Sequence, residues 1–281
     1  MPNLLQRGSQ PDDIGNTLTI TPQSAVWQYV GFQVYQLSAE QTLSQETGEN
    51  EMCIVVLSGI ANVTTREQQY ERIGRRMSVF EQIPPYAVYV PAQDQLLIEA
   101  LTNMSVALCS APAEGRLPAR LITPDQIGVE ERGNGTTART IHNILPEQEE
   151  AERLLVVEVF TPAGHWSSYP PHKHDQDRLP HESQLEETYY YNIAPADGFA
   201  LQRVYTDDLS LNETLVVHDG DAVMVPRGYH PVAAPPGYDV YYLNVMAGPV
   251  RTWKFHNDPK HAWLMRPSKE ESKHESNSIS E

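Results

Sequence analysis

Nowhere in this chain do the apolar residues recur at a helical spacing. They fall instead into short alternating runs rich in β-branched and aromatic side chains, such as "MCIVVLSGIANVT", "AVYVPA", "LLVVEVFTP", "TYYYNI", "FALQRVY", "TLVVHDGDAVMVP" and "DVYYLNVM". Turn residues punctuate them in "SGI", "PADG", "HDGD", "PRG" and "APPG". A period of two places successive side chains on opposite faces of a strand. Many short strands separated by Gly/Pro turns build barrels or sandwiches, so the predicted class is all-β.

The strands form two blocks, 27–113 and 154–265, and the blocks rhyme. An acid opens a strand in both "ENEMCIVVLSG" and "LEETYYYNI", and a strand ends in Val-Pro in both "PPYAVYVPAQDQ" and "DAVMVPRGYH". Such self-similarity predicts two copies of one barrel. The polar, Gly/Pro-punctuated stretch between the blocks reads as a linker with room for one strand. The expected organisation is a first barrel over 1–125, a linker over 126–150, a second barrel over 151–265 and a charged, Ser-rich disordered tail over 266–281.

Composition narrows the partners. A formal net charge of -17 over 281 residues argues against nucleic acid and against an anionic membrane surface. It leaves room for an anionic small substrate, because a local pocket can oppose the global charge. Cys53 and Cys109 lie in separate apolar runs with no CxxC spacing and are expected to be buried free thiols, as in a reducing compartment. The opening "MPNLLQRGSQPDD" has no apolar core of a secretory signal, and no run approaches the length of a membrane span. A soluble, cytoplasmic homo-oligomer without nucleic-acid or membrane partners is expected.

The stretch "PPHKHD" adds chemistry. Strand alternation points His172 and His174 the same way and Lys173 the other. Alone, this spacing fits a polar surface loop as well as a metal site. The second block supplies more: Glu187 opens the strand "ETYYY", and "HDGDAVMVPRGYHPV" holds Gly220, Pro226, Gly228 and His230. The whole pattern resembles the cupin double motif. Its first half is seen as Gly164, His172, His174, Glu187 and Gly198, its second as Gly220, Pro226, Gly228 and His230. The resemblance implies that His172, His174, Glu187 and His230 converge on one metal inside a β-barrel. Three imidazoles and a carboxylate suit a divalent first-row ion, zinc first, with manganese, iron or nickel as alternatives.

The chain departs from the motif in a long insertion between His174 and the glutamate, and in the single residue between Gly228 and His230. The insertion leaves Glu186 and Glu187 both available, on opposite faces. Glu187 is the expected ligand because it shares strand parity with Tyr189 and Tyr191. The other histidines lack a partner at ligand spacing and are expected to be surface or hydrogen-bonded residues. In the first block Glu51 stands where an acid would be, but no HxH precedes it, so that barrel is expected to be metal-free.

Longer strings go further. "ERLLVVEVFTPAGHWSSYPPHKHD", "DGDAVMVPRGYHPVAAPPGYDVYYLNVMAG" and "RTWKFHNDPKHAWL" resemble the 5-deoxy-glucuronate isomerase family of inositol catabolism. That family is similar to the pectin-pathway ketol-isomerases, and both are bicupins. The resemblance implies a metal-dependent aldose–ketose isomerisation of a small uronate, 5-deoxy-glucuronate to 5-dehydro-2-deoxy-gluconate. The alternatives are the pectin-derived uronate, a non-enzymatic sugar-binding cupin, or a metal-dependent dioxygenase, since fold does not fix function. For substrate contacts, Arg203 and Tyr205 share one strand face and are expected to reach the sugar if that face looks inward. Tyr189, Tyr191 and Tyr242 are candidate hydroxyl partners. No catalytic base is identified.

Overall fold

The computed structural model describes residues 3–265; the tail expected over 266–281 lies outside the described residues. The alternating segments are strands. Those of the first block make a six-stranded antiparallel sheet in the order Arg120–Ile122, Ala87–Val90, Asn50–Ser58, Met104–Pro112, Gly31–Leu37, Asn16–Ile20. It faces a four-stranded sheet ordered Thr42–Glu46, Gln95–Ala100, Ala61–Thr64, Gln69–Ile73. Tyr35, Leu43, Ile54, Val63, Ile98 and Leu108 belong to the core enclosed by the pair.

The second block repeats the plan. Its large sheet runs Leu5–Gln6, Ala222–Val225, Glu186–Ala194, Asp239–Ala247, Leu155–Thr161, Arg139–Leu145, Gly128–Arg132. Its small sheet runs Trp166–Ser167, Val232–Ala233, Ala200–Tyr205, Asn212–Val217. The enclosed core includes Val157, Tyr189, Tyr191, Val204, Val223 and Tyr242.

A third core joins the two large sheets. Phe32, Val55, Leu57 and Tyr89 from the first meet Val156, Phe160, Tyr190 and Leu243 from the second. This explains why some strands read as continuous apolar runs, the signature of burial on both faces. In Asn50–Ser58, Met52, Ile54 and Val56 face their own barrel, while Cys53, Val55 and Leu57 face the other sheet. The strand Glu186–Ala194 behaves alike. Tyr190 packs against Phe32 with ring centroids 5.6 Å apart, and Tyr189 and Tyr191 point into the second barrel. Cys53 and Cys109 are ladder partners, free and buried. Burial pushes the Cys53 thiol up to about 12, which leaves it unreactive at neutral pH.

Two boundaries differ from the sequence expectation. Residues 126–150 are no linker, because Gly128–Arg132 and Arg139–Leu145 extend the second large sheet. Their polarity is misleading, since Arg139 and His142 are both buried. The first barrel does not hold the N-terminal residues either. Leu5–Gln6 pairs with Ala222 and Val223 at the edge of the second barrel, and Leu4 sits in its core.

Polar ties cross the junction in both directions. The Glu51 carboxylate accepts the Tyr89 hydroxyl at 2.6 Å and the backbone N–H groups of Glu152 (2.8 Å), Arg153 (2.6 Å) and Leu154 (2.7 Å). Glu186 returns the contact, accepting from the N–H groups of Gln28 (2.7 Å), Tyr29 (2.7 Å) and Val30 (3.1 Å). The strands carrying Glu51 and Glu186 hold equivalent places in their sheets. Between these ties lies a buried ion pair. Arg76 donates to both oxygens of Glu158, at 2.7 and 2.8 Å, with side chains 1% and 0% exposed. Tyr241 and His142 complete the carboxylate's shell. Burial alone would raise the Glu158 carboxyl, but Arg76 and then His142 hold it below the usual carboxylate range.

Candidate metal centre

His172 and Lys173 form a two-residue strand against His256–Asn257. His174 follows, buried, with Nδ1 3.1 Å from the Leu185 carbonyl and Nε2 3.1 Å from Glu187 Oε2. His230 is reached through the turn at Gly228. Gly228 has φ +95°, and a Cβ there would lie 2.6 Å from the Tyr205 carbonyl oxygen, so the turn requires glycine. The Gly228 carbonyl then accepts from His230 Nδ1 at 2.8 Å. His172 is partly exposed, and its Nδ1 faces the Pro170 carbonyl at 3.4 Å.

Each imidazole therefore aims Nδ1 at a backbone carbonyl. This assigns the proton to Nδ1 and leaves the Nε2 lone pair free, the tautomer that metal-ligating histidines adopt. Ligand-capable atoms of His174, Glu187 and His230 lie within 4.8 Å of one another, all three residues buried. His172 stands at the edge of this group, its ring centroid 4.9 Å from that of His230 and 6.3 Å from that of His174. Among the described residues His230 Nε2 is buried with no hydrogen-bond partner and lies 3.3 Å from Glu187 Oε2. An unsatisfied buried nitrogen costs roughly 1–3 kcal/mol, so the donor set fits a bound cation.

The electrostatics agree with that fit. Burial and then His174 push His172 down to about 3. Burial also takes His230 down to about 3, against the attraction of Glu187 and aided by His172 and His174. His174 moves the other way: burial opposes its charge, but the hydrogen bond and charge of Glu187 raise it. Burial thus keeps His172 and His230 neutral, while Glu187 favours the protonated form of His174 over its neutral one.

Strand parity separates the two glutamates. Glu187 looks into the barrel with Tyr189 and Tyr191, whereas Glu186 faces the junction and is occupied by backbone N–H groups of 28–30. The insertion after His174 forms a hairpin of Asp175–Arg178 with Glu182–Gln184. Lys173, on the far side from the histidines, ends 3.0 Å from Asp175 and 3.0 Å from Asp207.

The expected substrate contacts divide. Tyr189 and Tyr242 lie inside the barrel, ring centroids 5.0 Å apart, and Tyr189 is 5.7 Å from His230. The Tyr189 hydroxyl meets Ser168 Oγ at 2.9 Å. Tyr191 is inside too, but its hydroxyl is taken by Gln202 at 2.8 Å. Arg203 and Tyr205 do share a face, and it is the outer one. Arg203 is exposed, bonded to Asn212 and stacked over Tyr205 at 4.1 Å, and the Tyr205 hydroxyl donates to Asp258. The inner face belongs to Ala200, Gln202 and Val204. Alternation tells which residues share a face without telling which face is inside.

The sequence reading missed the cavity beside the histidines. Its volume is about 390 Å³, and Arg132, Arg139, Tyr169, His172, Trp253 and Phe255 are among its walls. Both arginines come from the stretch taken for a linker. The signal that would have exposed them is the alternation in "ARTIHNIL", where Arg139 and Ile141 share one face and His142 and Ile144 the other.

Comparison with known proteins adds three findings. The profile described as KduI/IolB family matches residues 4–264. A 5-deoxy-glucuronate isomerase of Geobacillus kaustophilus is 61% identical, covering 94% of this chain and 96% of its own, and that of Bacillus subtilis strain 168 is 48% identical, covering 93% and 98%. Among solved structures, an IolB-like protein of Salmonella typhimurium LT2 superposes with a TM-score of 0.92 at 50% identity, covering 94% of this chain and 100% of its own. The oxalate decarboxylase of Lactobacillus farciminis superposes with a TM-score of 0.67 at 13% identity, covering 98% and 94%, which supports the two-barrel cupin fold alone.

Proposed function

This chain belongs to the KduI/IolB family and is an isomerase of 5-deoxy-glucuronate, and from that premise we propose that its histidine–glutamate centre is metal-dependent and yields 5-dehydro-2-deoxy-gluconate. His172, His174, Glu187 and His230 would hold one divalent ion, zinc first and manganese, iron or nickel as alternatives. The observation that carries this reading is the buried, unpartnered Nε2 of His230 beside Glu187. When bound, such an ion supplies a Lewis acid for a carbonyl and its neighbouring hydroxyl.

The rest is work for the chain. An aldose–ketose isomerisation removes a proton from C2, returns one to C1 and shifts one between the two oxygens. Burial, then the charge of Glu187, keeps the Tyr189 phenol well above its ordinary range, so it stays protonated and would be available as a donor. Its hydroxyl and that of Ser168, 2.9 Å apart, would offer a pair to the oxygens between which charge moves. Tyr242 stays protonated for the same first reason, burial, and its ring lies 5.0 Å from that of Tyr189. Both tyrosines are nearly fully buried, and polar contacts shielded from water are stronger.

Two measurements test the centre. Protein purified without a histidine tag should contain about one equivalent of divalent metal by elemental analysis, and chelation should abolish isomerisation until metal is restored. Full activity in chelated, metal-free protein would sink the metal reading. Below the raised His174 pKa, binding should also release a proton. The His174 pKa is raised in the metal-free chain, so at pH values below it the ion must displace that proton, and affinity should rise with pH up to it and then level off. Calorimetry in buffers of different ionisation enthalpy reads the released proton directly.

Among the described residues no helix is long and apolar enough to cross a membrane. The net charge of -17 supports a protein without nucleic-acid partners, and the two free thiols support a cytoplasmic one. Exposed Trp263, Met265 and Phe255 support a homo-oligomer, which sedimentation should show as a mass above that of one chain.

A further inference from the structure

Arg139 is the cation that a chain so acidic would be expected to pair. Its residue is 8% exposed, and its one hydrogen bond is from Nη1 to the Thr137 carbonyl at 3.0 Å. Among the described residues it makes no ion pair with a carboxylate. Its neighbour in the cavity wall, Arg132, is by contrast held by Glu130 through two bonds of 2.9 Å. A buried guanidinium without a counter-charge is costly, and Arg139 keeps most of its five donors in hand.

Position gives that cost a use. Arg139 shares strand parity with Ile141, a member of the second barrel's core, so it stands on the inner side of the sheet at the barrel rim. It lines the same cavity as His172. His172, a proposed metal ligand, and Arg139, a bidentate cation, thus border one cavity, together with Trp253, Phe255 and Tyr169.

We propose that Arg139 is the carboxylate-binding residue of this enzyme, gripping the far end of the open-chain uronate while the aldehyde end lies at the histidine–glutamate centre. The assignment rests on the uronate isomerase reading and replaces Arg203 in that role. Two parallel N–H···O bonds match a carboxylate and fix its plane. They set the length and charge of the sugar that is accepted, and an aldose without the terminal carboxylate leaves the guanidinium buried and unpaired.

The test uses the full-length, metal-loaded enzyme and three probes: 5-deoxy-glucuronate, the hydroxy acid made by reducing its aldehyde, and the neutral sugar in which the carboxylate is reduced to an alcohol. A charge-assisted contact of the usual strength predicts that Arg139→Gln lowers kcat/KM for the uronate by about 10- to 150-fold. Calorimetry should show binding of the unreactive hydroxy acid weakened by a similar factor. Metal content should be unchanged, and turnover of the neutral sugar should fall far less. Should Arg139→Gln not fold, Arg139→Lys carries the test: it keeps the charge but loses the fork, and should weaken hydroxy-acid binding while sparing the neutral sugar. Equal losses on charged and neutral sugars, or hydroxy-acid binding at wild-type strength in the variant that folds, overturns the assignment. Absence of uronate turnover in the wild-type enzyme would instead overturn the isomerase reading itself.

Discussion

Glu187→Gln should leave a folded protein that binds no metal and isomerises nothing. The substitution removes the only carboxylate within reach of His174 and His230 among the described residues. Losing a residue that merely supports a ligand costs about 10- to 100-fold in metal affinity, and a ligand bearing the site's negative charge should cost more than that. Glu186→Gln, one residue away, is the internal control. It should keep metal and most activity, and lose stability instead, because its amide accepts the N–H groups of 28–30 less strongly than a carboxylate does. Elemental analysis and a thermal melt of both variants decide the matter. Metal lost from Glu186→Gln and kept in Glu187→Gln would mean that the strand is out of register by one residue, which exchanges its two faces.

The largest effect on stability should come from Glu158→Leu. It strands the Arg76 guanidinium, which is 1% exposed, and removes the acceptor for Tyr241 and His142. Breaking a buried pair from one side costs about 3–5 kcal/mol, measurable as a shift in the denaturant midpoint. Adding Arg76→Met should restore a substantial part, because the uncompensated charge is then gone. The pair also has a pH signature. The Glu158 carboxyl is depressed in the folded protein, so its contribution is full above the ordinary carboxylate pKa and is lost as pH falls through the depressed value. An acid titration of Glu158→Leu should be flatter than that of the wild type over that window.

The sequence carried the strands, the two-block plan and the histidine spacing because each is a local pattern. His172 and His174 are two residues apart, and Glu187 is told from Glu186 by its parity with Tyr189 and Tyr191. Arg203 shows where such reasoning stops. Its pairing with Tyr205 on one face is correct, yet the choice of the inner face depends on the packing of Val204 and Ala200 against residues far along the chain. The segment 126–150 shows another limit. Its polar side chains break the apolar alternation that identifies a strand, and they do so because they are used in the interior: His142 meets Glu158, and Arg139 lines the cavity. Arg76 and Glu158 lie 82 residues apart in the chain, and no local pattern announces such a partner.

Glu51 and Glu186 occupy matching places in the two halves, each closing the exposed strand start of the other half. The next residue along is Met52 in one half and Glu187 in the other, facing each half's own interior. A single step along one strand thus separates a fastening from a carboxylate of the candidate metal centre, and the first half has the fastening with Met52 beside it. The consequence is a hostage relation. The first half cannot drift or be discarded without uncapping the backbone at 152–154, where the strand Leu155–Thr161 of the second half begins. Damage at Glu51 or Tyr89, outside the candidate metal centre, would therefore register in a screen as failure of the enzyme, and the first barrel should prove as intolerant of change as the second.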